Sequence, residues 1–274
     1  MSTRPGPPRN LPALLVALHE QEHTGTVVVS GAPGGRIHLR GGRIVGVETP
    51  GAPGVETILL NSGRIDDAAW TAVCASGGVT EGALARELET RGLLPRQEFE
   101  IVCTAAVFDG AFALAFGTPG GWEVTEAVPT ASAGPSFTPR RLAAQTTRRL
   151  SVLAGLWGAP PVELARSRIR PAADFPVRIP ERYATLLRTA NGRRTPRDIA
   201  FVLGRGVYAV MLDLARMNES GLLHRDRPAP DSERPSTAPR RRERRPPGGT
   251  LAAGAAVLPR RTPGTHHPHR TATP

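Results

Sequence analysis

The 274-residue chain contains no lysine, so all 35 of its basic residues are arginine. That absence excludes a Walker-type phosphate lysine, a Schiff base and a lysine general base. Cysteine is nearly absent as well. Cys74 and Cys103 are the two present, too few and too far apart for a metal knuckle or a disulfide framework. Both sit in apolar helical contexts (AWTAVCAS and EIVCTAAVF), which predicts buried free thiols in a reducing cytoplasm. No stretch approaches the ~18 uninterrupted apolar residues of a membrane span, and MSTRPGPPRN has no hydrophobic signal region. The expectation is a cytoplasmic protein without membrane association.

What is abundant is glycine (30), proline (28) and positive charge, at net +11 with a pI near 11.3. Such a balance favours a polyanionic partner. Two facts temper it. Uniform arginine beside abundant Ala, Gly and Pro resembles a coding bias, and much of the excess lies in the last fifty residues.

Residues 1–9 read as a disordered Pro/Arg leader. Leu11, Leu14, Leu15 and Leu18 mark an amphipathic helix to about Glu22. Gly25–Ser30, Arg36–Arg40 and Arg43–Thr49 read as strands, with turns at Ala32–Gly35 and Gly41-Gly42, giving a small antiparallel meander. Helices are predicted over Val55–Asn61, Asp66–Ala75, Thr80–Arg91 and Pro95–Asp109, each of the last three with an acidic or capping start. Ala111–Phe116 and Gly121–Val124 suggest a closing hairpin. Residues 126–139 read as a linker and 140–158 as a connecting helix. Arg166, Arg168 and Arg170 follow on an extended or partly helical stretch. Residues 227–274, rich in Pro, Arg, Ser, Gly and Thr, predict a disordered basic tail.

The stretch 10–125 also carries a family resemblance. LPALLVALHEQEHTGTVVVSG, RIHLRGGRIVGVET, ETILLNSGRIDDAAW and FEIVCTAAVFDGAFALAFG follow one another in an order similar to the domain of unknown function typified by the amino-terminal part of the response regulator PatA. The resemblance implies an α+β fold: a Leu-rich helix, a strand–GG–strand hairpin and a helical half. It also implies a place in bacterial signalling beside receiver, roadblock or other regulatory modules. It brings no catalytic residue.

Residues 174–226 read as a winged helix-turn-helix. Thr195 caps a helix with Pro196 at its first position and Asp198 in its first turn. Gly204-Arg205-Gly206 breaks it. Val207, Val210, Met211, Leu214 and Met217 make a second amphipathic helix, and Leu222-Leu223 begins an extended segment after Gly221. The residues expected to meet DNA are Arg193, Arg194, Arg197, Arg205, Tyr208, Arg216, His224 and Arg225. Asp213 and Glu219 on the same helix would repel phosphates. Arg240, Arg241, Arg242, Arg244 and Arg245 could add salt-dependent, sequence-independent polyanion contacts. The alternative is that this module docks proteins, since fold does not decide use.

Other signals resolve to ordinary structure. His266, His267 and His269 are incidental surface histidines, and His19, His23 and His38 define no geometry. Gly34-Gly35 and Gly41-Gly42 precede strands, unlike a phosphate cradle. No Ser/His/Asp arrangement, metal site or cofactor motif is legible, so no enzyme is expected. The whole reads as an α+β regulatory protein that binds duplex DNA through its winged helix-turn-helix. The alternative is a signalling adaptor for small-GTPase, roadblock or response-regulator proteins.

Overall fold

Asn10 accepts the Ala13 N–H at 2.9 Å and Pro12 occupies the first turn, so α1 begins at Leu11 and runs to Glu20. The computed structural model that shows this describes residues 10–77, 82–128, 134–173 and 179–224. After α1 come β1 (Gly25–Ala32), β2 (Gly35–Arg40) and β3 (Arg43–Glu48). Gly41 and Gly42 take φ of +52° and +70° between the last two, as a two-residue hairpin turn requires. The helical half follows: α2 (Val55–Asn61), α3 (Asp67–Gly77), α4 (Ala83–Thr90) and α5 (Arg96–Leu114). The start signal read at Thr80 and Glu81 lies outside the described residues.

The expected hairpin at Ala111–Phe116 does not form. Phe112 and Ala113 are buried on the far end of α5, where burial of an aromatic ring is worth roughly 1.5–3 kcal/mol, so the helix continues to Leu114. The chain then returns as β4 (Thr118–Thr125), which pairs antiparallel with β1. The result is a four-stranded antiparallel sheet in the order β3-β2-β1-β4. Val27 stands opposite both Ile37 and Val124, and Ile37 opposite Val47. Val27, Val29, Ile37, Leu39, Ile44 and Val47 bury one face against Leu14, Leu15 and Leu18 of α1 and Val107 and Phe108 of α5. Gly110 lets α5 approach β3 closely, since a Cβ there would lie 2.8 Å from a Val47 methyl.

Part of the stretch read as a linker is core. Phe137 is 2% exposed, exchanges two backbone hydrogen bonds of 2.8 Å with Ile44, and sets its ring 4.7 Å from that of Phe108. It delivers the chain to α6 (Pro139–Trp157), capped by Thr138. Then follow α7 (Pro161–Arg166), β5 (Arg170–Pro171), α8 (Glu181–Thr189), α9 (Pro196–Leu203), α10 (Val207–Glu219) and β6 (Leu223–His224), which pairs antiparallel with β5.

Among the described residues three apolar cores result, and α5 enters each of them. Its first half gives Phe99, Val102 and Cys103 to the core of α2, α3 and α4. Its middle faces the sheet. Its end gives Phe112 and Ala113 to the core built by α6 through α10. Cys103 is buried as expected. Cys74 is exposed, because α3 buries Trp70 and Val73 and turns the next position outward. Among the described residues no helix is long and apolar enough to cross a membrane.

Candidate functional site

The best-formed local structure in the second half is α9. The Thr195 hydroxyl accepts the Asp198 N–H at 3.3 Å, and the Asp198 carboxylate accepts the Thr195 N–H at 2.9 Å, a complete capping box. Burial works to raise the Asp198 carboxyl, but the Thr195 N–H and hydroxyl, with Arg197 and Arg168, hold it below the ordinary aspartate value. Gly204 ends α9 at φ +56°, tight against α2: a Cβ there would lie 2.8 Å from the Ile58 carbonyl oxygen and the Asn61 carbonyl carbon. Asn61 also donates to the Phe201 carbonyl at 2.6 Å.

Helix α10 is amphipathic as its spacing predicts, and the apolar face read at Val207, Val210, Met211, Leu214 and Met217 is buried in a core. Val207, Val210, Met211, Asp213, Leu214, Ala215 and Met217 are buried, leaving Ala209, Arg216, Glu219 and Ser220 exposed. Its amino-terminal end is closed by α5 and α6. Asp109, 4% exposed on α5, accepts the Tyr208 N–H at 3.2 Å and pairs with Arg149 of α6 at 3.2 Å. Burial pushes the Asp109 carboxyl above its ordinary value, against the opposing pull of Arg149 and the N–H groups of Tyr208 and Val207. Arg149 lies over the Tyr208 ring at 4.6 Å, and the same ring meets Phe112 edge-on at 5.3 Å.

The expected DNA contacts therefore scatter. Tyr208 is half-buried in that stack. Arg205 donates to the buried Asp213 at 2.7 Å, with Arg182 3.9 Å from the same carboxylate, so Asp213 lies inside and not on the exposed face expected of it. Arg197 donates to the Pro50 carbonyl at 2.6 Å and lies over Phe201. Arg194 is half-buried and bonds the Thr189 carbonyl at 2.9 Å. Arg193 and Arg216 are exposed, and His224 is exposed beside Arg170 in the β5–β6 pair. Arg225 and Arg240, Arg241, Arg242, Arg244 and Arg245 lie outside the described residues, as do His266, His267 and His269.

No protein-family model, characterised protein or solved structure matches this chain.

The fold gathers one group of arginines the motif alone does not. The Ile169 N–H bonds the Arg194 carbonyl at 3.0 Å and the Gly192 N–H bonds the Ile169 carbonyl at 2.8 Å. This ladder sets Arg168 and Arg170, both exposed, alongside Arg193, and Arg168 donates to the Arg193 carbonyl at 2.6 Å. The alternating RSRIR pattern was visible in the sequence; its partner, 23 residues on, left no local signal. Elsewhere, His38 sits buried between the Thr26 hydroxyl (3.2 Å from Nδ1) and Glu48 (3.3 Å from Nε2), and His19 lies 3.0 Å from the Gly42 carbonyl. Among the described residues no three His, Cys, Asp or Glu side chains come together as a metal would require.

Proposed function

We propose that this chain is a non-enzymatic signalling adaptor whose α8–α10 region serves packing and protein docking and does not read base edges. One observation carries the reading: the amino-terminal end of α10 is enclosed by Asp109, Arg149 and Phe112, and the turn before it by α2. A helix-turn-helix uses that end of its second helix to reach base edges in the major groove. Here the Tyr208 N–H and ring and the Arg205 side chain already have intramolecular partners. In this reading residues 10–125 are a PatA-like sensory or docking domain, and residues 174–226 are a winged helix turned to docking. The 227–274 tail adds only non-specific affinity for polyanions. The exposed edge of Arg168, Arg170 and Arg193 suits an acidic protein surface.

The same edge supports a second reading, duplex DNA held through phosphates without base readout. A titration of residues 1–226, which include all three cores, against a labelled duplex separates the two. The adaptor reading expects no duplex binding tighter than ~10⁻⁴ M even at low salt. It also expects a partner captured from a native extract to be released by R168E/R170E/R193E. Micromolar, salt-dependent duplex binding lost in that variant would establish the second reading and sink the first. Sequence-selective binding lost in R216E would restore the base-reading helix.

A further inference from the structure

We propose that the cleft between the Pro/Gly loops of the sheet and helices α7, α9 and α10 binds a small organic anion, one acidic headgroup on an apolar body. The cleft holds about 460 Å³, within the range of small-molecule sites. Its wall is apolar where the elements converge: Pro33 after β1, Phe116 after α5, Val162 of α7 and Met211 of α10. Two arginines, Arg166 from the last turn of α7 and Arg197 from the first turn of α9, are its charged lining, and no Asp or Glu lines it.

The two arginines differ in a useful way. Arg197 is held, its Nε bonded to the Pro50 carbonyl at 2.6 Å and its plane over Phe201 at 5.3 Å. Its two terminal nitrogens have no hydrogen bond or ion pair among the described residues, so they are preorganised donors for a carboxylate, sulfonate or phosphate. Arg166 is exposed, likewise with no ion pair among the described residues, and can close over the headgroup. Of the acids nearest in sequence, Glu163 is exposed one turn earlier on α7, and Asp198 is engaged by Thr195 and lies 3.7 Å from Arg168, so its charge is shared between Arg197 and those partners. A larger groove of about 520 Å³ between α1 and α6 has no charged lining residue. It therefore offers an anion neutral donors such as Thr146 and Thr147 but no positive charge. The inference does not rest on the adaptor reading, since it is drawn from the lining of the cleft alone.

The test uses the full chain and two fluorescent probes of nearly the same shape, the anionic 8-anilinonaphthalene-1-sulfonate and the neutral N-phenyl-1-naphthylamine. The sulfonate is expected to bind saturably. R166E should weaken it at least about tenfold, R166K should keep it within about threefold, and A165F, which fills the cleft, should abolish the R166E-sensitive signal. Circular dichroism confirms that each variant is folded. The neutral probe should not respond to R166E. The proposal is overturned if the sulfonate does not bind or is indifferent to R166E, or if both probes weaken alike.

Discussion

Replacing Asp109 gives the sharpest test of how the two halves are joined. Its carboxylate accepts the Tyr208 N–H at the start of α10, pairs with Arg149 at 3.2 Å and lies against Gly206, where a Cβ would come within 2.7 Å of Oδ2. Asp109→Ala removes a capping acceptor, typically about 1 kcal/mol. It also leaves Arg149 without its partner. Breaking a fully buried pair costs about 3–5 kcal/mol, but the Arg149 side chain is 21% exposed and rests on Tyr208 and Phe108, so the lower end applies. Relief of the buried charge offsets part of this. The expected loss is about 2–4 kcal/mol, a fall of about 1–2 M in the urea midpoint. Asp109→Asn keeps an acceptor for Tyr208 and should lose about half as much. The pH dependence has a fixed sign. Because the folded carboxyl titrates above its unfolded value, at pH between the two values the native state holds a proton that the unfolded state has released. The advantage of wild type over D109N is therefore greatest below the unfolded value and declines as pH rises through the folded one. A D109A loss under about 1 kcal/mol, or a wild type that gains on D109N between pH 4 and 7, would refute the role assigned to Asp109.

Three further perturbations probe the frame around it. Gly204→Ala should cost about 3 kcal/mol, from the positive φ and the collision with the carboxyl end of α2, and a Tm unchanged to within about 2 °C would mean that α2 does not seat against that turn. Phe137→Ala should lower stability by about 3–5 kcal/mol in urea unfolding, whereas a loss below about 1 kcal/mol would return residues 134–139 to the status of a linker. Cys74 should react with a thiol-specific disulfide reagent in the native protein, with Cys103 reacting only after denaturation. Burial and the nearby Glu56 raise the Cys74 thiol, so its rate should climb with pH to beyond the range of an ordinary thiol. Equal rates for the two cysteines would contradict the packing of α3.

Local signals in this chain were legible where they are strong and blind where distance decides. The Val55–Asn61 helix, the Gly41-Gly42 hairpin, the Thr195 cap and the Gly204 terminator all read directly, because each depends on residues within a few positions. The end of α5 misled because AFALAF alternates in a way that suits a strand, while Phe112 prefers the core of α6 through α10. Phe137 sits in a Pro/Ala/Ser stretch whose composition signals a linker, and one aromatic paired with Ile44 reverses that. At the candidate site, the helix order was readable but the environment of α10 was not. Amphipathic spacing locates Val210, Met211, Leu214 and Met217 on one face without saying that α5 and α6 close over its start.

That closure is where architecture and function meet. The first turn of α10 is the point at which α5 and α6 converge on Tyr208. Helix α5 also carries the cores of the sheet and of the α2–α4 helices, so a displacement at Tyr208 has a packed route to both. The cleft proposed to take an anion is lined by Val207 and Met211 of α10 and by Ala113 and Phe116 at the end of α5, the same two elements. A ligand held there by Arg166 and Arg197 would bear directly on the α5–α10 contact, at the end of the helix that contributes to all three cores.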